Sequence, residues 1–338
     1  TSGGRLLCLD GGGIRGLVLI VLLRAVQRQA GDRPIKQLFD WIAGTSTGAI
    51  LALALATGRS PHYTLGLYFR LKDEVFKGGR PYSEVPLEDI LKKEFGDKTV
   101  MADITDVKVV ATGVLADRFP ADLHLFRNYK GGEQLLELHQ SFTGSGSPVQ
   151  MFQPPFPAEK QLVWEAARAS GAAPSYFRAY GRFIDGGLIA NNPSLDLLTE
   201  IGERNTILRA LGRHQETTAP TVLLSLGTGK PPLEKVNAID CFRPESLYGT
   251  LQMAFGLSNM AKLLIDQATM ADNHTVDRCR AWCHSSGVQY MRLSPLLSSD
   301  VALDETRDDV LLKILWETQL YCYNKKDKIE KLARLLLH

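Results

Sequence analysis

Between a short apolar run, Leu38-Phe39-Asp40-Trp41-Ile42, and an Ala/Leu-rich segment from Ala49 to Thr57, the chain reads Ala43-Gly44-Thr45-Ser46-Thr47-Gly48. A strand that must turn at once into a buried helix has few backbone solutions. Gly-x-Ser-x-Gly is one: its glycines admit a sharp reversal that holds the serine hydroxyl beyond the end of a sheet. The same residues suit an ordinary strand-to-helix turn with a capping serine. The choice depends on whether the chain also supplies an oxyanion site and a base.

A unit of the same kind precedes it. Arg5-Leu6-Leu7-Cys8-Leu9 predicts a buried strand. Asp10-Gly11-Gly12-Gly13-Ile14-Arg15-Gly16 follows, then a helix from Leu17 to about Gln29, ended by Gly31-Asp32-Arg33-Pro34. Further helices are predicted over Tyr63–Lys77, Pro86–Phe95 and Ala158–Ser170, and strands over Val107–Leu115, Arg182–Ile184 and Thr221–Leu226. Asn192-Pro193 predicts a helix start, with asparagine as N-cap. Lys130 to Pro157 is rich in Gly, Ser and Pro, with only Glu133 to His139 helix-like. From about 240 to 338 the chain reads as mainly helical, including Leu251–Ala268 and one long amphipathic helix from about Asp308 to Leu337. Strands alternating with helices imply an α/β fold with a largely parallel sheet covered on both faces. No repeat or composition shift marks a boundary, so one domain over 1–338 is expected, its core at about 5–229.

At 338 residues and 44% hydrophobic, the chain can bury a large core. A net charge of +2 argues against non-specific nucleic-acid binding. Cys8, Cys241, Cys279, Cys283 and Cys322 are odd in number and scattered, with no Cys-x-x-Cys. This argues against a disulfide framework or structural zinc and fits a reducing cytosolic setting. The apolar run Leu17 to Leu23 stops at Arg24, far short of the roughly 20 residues of a membrane span. A start at Thr1 suggests a piece of a longer protein without a signal peptide of its own.

Gly11-x-Gly13-x-x-Gly16 has two uses. As a dinucleotide fingerprint it wants an acidic residue about twenty positions on, closing a second strand, but Asp32 falls in a turn. As an oxyanion loop it offers glycine N–H groups that a tetrahedral intermediate can approach. Arg15 could then steer an anionic head-group or simply lie on the surface. The base for Ser46 is open. Among the histidines, only His214, His274 and His284 suit the order Ser, Asp, His of a triad, and none sits in a motif. Asp185, ending a strand before Gly186-Gly187, could take the serine proton directly if a dry site raised its basicity; otherwise it makes an Asx-type turn.

Asp10 to Gly16, Gly44 to Gly48 and Asp185-Gly186-Gly187, in this order, resemble the patatin-like phospholipase family. Ser225-Leu226-Gly227-Thr228-Gly229 matches a further strand-end motif of that family. Within it, the chain is similar to the calcium-independent group VI phospholipases A2 of beta type. That similarity rests on Phe39–Ser60, the Arg-x-Ser-Gly-Ala-Ala-Pro-x-Tyr-Phe pattern within Ala166–Phe177, and Trp316-Glu317-Thr318. The resemblance to the family as a whole covers most of Arg5 to about Gly229 and is poor over 130–157. The resemblance implies a three-layer patatin-like fold and a Ser–Asp dyad. Ser46 would be the nucleophile, Asp185 the base, and Gly12 and Gly13 the oxyanion donors; Gly11, Arg15, Gly16, Gly44, Thr47, Gly48, Gly186 and Gly187 would support them. The implied reaction is hydrolysis of the sn-2 acyl ester of a glycerophospholipid through an acyl-serine, with lysophospholipase and acyl-thioester hydrolysis beside it. No metal or cofactor is implied.

The resemblance further implies a cytoplasmic enzyme, peripherally associated with phospholipid membrane surfaces and carrying ankyrin repeats upstream in full-length relatives. It implies calmodulin as a partner, for which Lys325, Lys326, Lys328, Lys331 and Arg334 on an amphipathic helix, or the weakly IQ-like Val288–Arg292, are candidates; a homo-oligomer is compatible with it. Tyr63–Phe76 and Val149–Phe156 are aromatic stretches that either touch lipid or pack inside. Two other readings remain: a triad esterase for small esters, and a nucleotide- or calmodulin-responsive regulatory module.

Overall fold

Leu6, Leu7, Cys8 and Leu9 are all 0% exposed, which a strand achieves only when both faces of its sheet are covered. In the computed structural model, which describes residues 2–132, 134–136, 155–232, 271–272 and 274–337, they belong to β1 (Ser2–Leu9). The chain then forms α1 (Gly16–Gln29), a helical turn at Ile35–Leu38, β2 (Trp41–Gly44), α2 (Thr47–Ala56), α3 (Pro61–Val75) and α4 (Val85–Phe95). Next come β3 (Lys108–Leu115), β4 (Asp122–Arg127), α5 (Val163–Ser170), β5 (Phe183–Asp185), α6 (Ser194–Ala210) and β6 (Thr218–Leu226). The C-terminal part adds α7 (His274–Ser285), β7 (Gln289–Leu293), α8 (Asp308–Asn324) and α9 (Lys326–Leu337). Among the described residues the strands make one sheet, ordered β4-β3-β2-β1-β6-β7, with β5 also paired to β3. The pairs β1–β2, β1–β6, β2–β3 and β6–β7 are parallel, whereas β4 and β5 run antiparallel to β3.

Alternate residues of each strand enter different cores, as the period of two requires. Leu7, Leu9, Ile42, Val109, Ala111, Leu224 and Leu293 join the larger cluster, with α1, α2, α5, α8 and α9. Leu6, Cys8, Trp41, Val110 and Leu223 join the other, under Leu197, Leu198 and Ile201 of α6 and Cys279 and Cys283 of α7. The result is helix, sheet, helix.

One register detail prepares the site. β2 pairs with β3 as far as Gly44 opposite Ala111. β5 pairs with β3 just beyond, with Asp185 opposite Gly113. β4 overlaps both stretches and so occupies the other edge of β3. β5 therefore lies in line with β2, and Asp185 takes the position Ser46 would occupy had β2 run on.

Several expected elements shift. The strand expected over Leu38–Ile42 lies at Trp41–Gly44, because Leu38 and Phe39 are buried from a helical turn and Asp40 turns back to Arg5. β4 and β7 were not expected. β4 is largely half-exposed, and Gln289 and Arg292 break the apolar pattern of β7. Thus Val288–Arg292, read as IQ-like, enters the sheet, and a strand stands inside the stretch expected to be mainly helical. The long C-terminal helix breaks at Lys325, which lets Ile329, Leu332 and Leu336 of α9 fold back into the core. α6 begins at Ser194, not Pro193, with Asn192 Oδ1 accepting from the Ser194 N–H at 3.2 Å. Leu251–Ala268 and most of Glu133–His139 and Val149–Phe156 lie outside the described residues. Of the last, Phe156 is described and is 64% exposed.

α2 crosses the end of β1 so closely that a Cβ on Gly48 would overlap the carbonyl oxygens of Leu9 and Asp10. Gly48→Ala is therefore expected to destabilise the fold by about 1–3 kcal/mol. The urea midpoint should fall at unchanged slope; a wild-type midpoint would contradict this packing.

Candidate active site

Ser46 sits between β2 and α2 with φ 54 and ψ −121, a conformation a non-glycine residue keeps only when its surroundings enforce it. Those surroundings are visible. Ser46 donates its N–H to Ser170 Oγ at the end of α5 (2.8 Å), and its carbonyl accepts from Ala49 and Ile50 as α2 starts. Thr47 is locked by Tyr68 of α3: the Tyr68 hydroxyl donates to the Thr47 carbonyl (2.6 Å) and accepts from Thr47 Oγ1 (2.9 Å). The Tyr68 ring rests on Gly16. Below the turn, Thr112 Oγ1 donates to Thr45 Oγ1 (2.8 Å), which donates to the Ala190 carbonyl (2.6 Å). This ties the elbow to the segment following Asp185.

The register already described brings Ser46 and Asp185 together. Ser46 Oγ donates to Asp185 Oδ2 at 2.6 Å, and Asp185 Oδ1 accepts the Gly187 N–H at 2.7 Å. Asp185 is only 6% exposed. Burial pushes its carboxyl up to about 6, against the bonds from Ser46 and Gly187 that favour the carboxylate. A desolvated carboxylate on a serine hydroxyl can accept that proton near neutral pH. Gly186 lies over Thr112, and Gly187 faces the Asn191 side chain.

The glycine loop stands alongside, with Gly11 against Ser46. Its N–H groups divide cleanly. Gly11 donates to Asn191 O, Ile14 to Leu303 O and Arg15 to Gly12 O. Gly12 and Gly13 have no acceptor among the described residues, as an oxyanion site requires. Thr228 covers Gly12 and donates to Gly11 O at 3.1 Å, while Leu303 covers Gly13. With Leu303 and Thr228 packed there and Asp32 in a left-handed turn beyond α1 (φ 56), the loop lacks the setting of a dinucleotide site. Arg15 is half-buried, its Nε 3.5 Å from Gly12 O; burial lowers its pKa, opposed by Asp300.

No histidine among the described residues hydrogen-bonds Ser46 or Asp185. His124 comes nearest in the sheet, opposite Gly113 on the far edge of β3. It stacks edge-on with Phe126 at 4.6 Å, and burial, with Arg127, Arg182 and Arg118 nearby, lowers its pKa to about 3. It is part of the wall.

Ser46, Asp185 and the glycine loop, distant in sequence, thus meet at one end of the sheet. Sequence reasoning missed the groups that hold them. Ser170 and Thr45 lay inside quoted motifs without a role of their own, Tyr68 lay in an aromatic stretch read only as lipid-facing or packed inside, and Thr112 carried no signal.

Residues 7–198 match the patatin-like phospholipase family model. The chain is 49% identical over 336 residues to the 85/88 kDa calcium-independent phospholipase A2 of Rattus norvegicus, covering 99% of this chain and 41% of that protein. The mouse (Mus musculus) protein of that name gives the same figures. An intracellular phospholipase A2 of Caenorhabditis elegans is 36% identical over 337 residues, covering 98% of this chain and 29% of its own length. The chain therefore spans less than half the length of these curated relatives. With the family match running from β1 through both the Gly-x-Ser-x-Gly turn and Asp185, the chain belongs to the patatin-like phospholipase family.

Proposed function

We propose that this chain is a phospholipid acyl hydrolase acting at the sn-2 ester through an acyl-serine. Ser46 Oγ attacks the acyl carbonyl as Asp185 takes its proton, and the Gly12 and Gly13 N–H groups hold the oxyanion. On collapse the ester C–O bond breaks, and Asp185 returns the proton to the leaving glycerol oxygen. Water then attacks the acyl-serine, giving a proton to Asp185 and releasing the fatty acid, while Ser46 recovers its hydrogen. The observation that carries this reading is the direct 2.6 Å bond between Ser46 and a desolvated Asp185. The sn-2 position and independence of calcium are supported by the similarity to relatives named calcium-independent phospholipases A2.

Because its substrate lies in a bilayer, we read the protein as peripherally membrane-associated; similarity to a relative named an intracellular phospholipase A2 supports a cytoplasmic setting. Among the described residues no helix is long and apolar enough to cross a membrane. Calmodulin as a partner is supported only by the basic residues of α9. Its apolar residues Ile329, Leu332, Ala333 and Leu336 are already buried, so a grip on this helix would require it to leave the core.

Ser46→Ala should abolish release of an sn-2-labelled acyl chain from vesicles and labelling by a fluorophosphonate; persistent labelling would refute the nucleophile. Asp185→Asn, whose amide cannot take the proton, should lower kcat by about 10²–10⁴-fold. Wild-type turnover should be unchanged by excess calcium chelator. Only the ionised Asp185 is a base, so activity is lost as the pH falls through its raised pKa. kcat/KM should therefore rise with pH to a half-maximum near about 6. A limb near about 4, the ordinary carboxylate range, would argue against a dry base.

A further inference from the structure

Asp10 is fully buried where β1 runs into the glycine loop, and its partner comes from the far end of the chain. Arg292 of β7 donates from Nη2 to Asp10 Oδ2 at 2.6 Å and to Asp272 Oδ1 at 3.0 Å, and from Nη1 to Ser225 Oγ at 2.8 Å. Ser225 Oγ lies 3.0 Å from Ser194 Oγ, whose hydroxyl donates to Asn192 Oδ1 at 2.6 Å, in the segment after Asp185. Room has been left for the guanidinium: a Cβ on Gly227 would meet Arg292 Nη2 at 2.6 Å. The Ser225–Gly229 motif is thus shaped around Arg292, with Ser225 accepting from it, Gly227 admitting it and Thr228 holding the carbonyl of Gly11. Arg292, Ser225 and Gly227 all lie beyond the residues 7–198 that carry the family match.

We infer that the Asp10–Arg292 pair is a positioning device that sets the oxyanion loop against Ser46 and Asp185. Neither residue touches the reacting atoms. The fork of Arg292 joins the root of the loop to the end of β6 and, through Ser225 and Ser194, to Asn192 in the segment that follows Asp185. Donors that must meet a developing oxyanion act through their placement before reaction, and a displacement of about 1 Å costs about 10²-fold. This inference rests on the acyl-hydrolase reading above.

The test separates placement from folding. Arg292→Met alone leaves the buried Asp10 without its donor and should lower the melting temperature sharply, because the carboxyl must then either stay charged and unpaired or take up a proton. The double variant Asp10→Asn/Arg292→Met removes both members of the buried pair, leaves the partly exposed Asp272 to Lys230 at 3.5 Å, and should recover most of that loss. In the full chain, its kcat on an sn-2-labelled phospholipid and its fluorophosphonate labelling rate should still be about 100-fold below wild type, with KM little changed. A folded double variant that turns over like wild type, whatever its melting temperature, would overturn the inference. Should it fail to fold, Arg292→Lys carries the same test, since it keeps the charge but gives up the fork. Folded with reduced kcat, it supports positioning; folded with wild-type kcat, it refutes it. If wild type itself released no acyl chain, the hydrolase reading would fail instead.

Discussion

A carboxylate can take a proton from a serine hydroxyl only when the two are in contact and water is kept away. Here both conditions follow from one feature of the sheet, the in-line placement of β5 beyond the end of β2. That placement puts Asp185 opposite Gly113, at the position Ser46 would have reached had the chain stayed extended. The elbow lifts Ser46 off that line, and the carboxylate beneath it accepts the hydroxyl at 2.6 Å. On both sides the sheet is sealed by helices, so the pair sits where desolvation is strong. A longer β2 or a shifted β5 register would separate the two groups.

The elbow conformation is costly, and the neighbouring elements hold it. Positive φ at a serine costs of order 1–3 kcal/mol. Against this stand the Ser170 hydroxyl on the Ser46 N–H, the Tyr68 clamp on Thr47 and the Thr45–Thr112 pair below. Each comes from a different part of the chain, which is why the turn is rigid although its own residues are small. Glycines here make space for neighbours: Gly16 for Tyr68, Gly48 for the end of β1, Gly227 for Arg292.

The C-terminal part is continuous with the site. β7 completes the sheet beside β6, Leu303 caps the glycine loop, and Arg5 donates to the Leu336 carbonyl at 2.8 Å, closing α9 onto the start of β1. A reading that stopped at the family-matched residues would leave the loop without its cover and Asp10 without its counter-charge.

Much of the architecture was legible because strong local patterns announce themselves. Leu6 to Leu9 and Val222 to Leu224 are continuous apolar runs, and continuous burial on both faces is what a central parallel strand requires. β4 and β7 were not legible: an edge strand needs no apolar run, and Arg292 reads as polar until its buried partner is seen. The sequence by itself determined the turn residues: glycine where chains cross, a serine between two of them, and an aspartate ahead of a Gly-Gly step. It also determined their order, from which the family resemblance could be drawn. Only the tertiary structure decided that Asp185 meets Ser46, that the Gly12 and Gly13 N–H groups have no acceptor among the described residues, and that Arg292 anchors Asp10. Those facts depend on strand register and on contacts such as Asp10–Arg292, whose residues are 282 positions apart, and no local pattern encodes which distant strand will lie alongside.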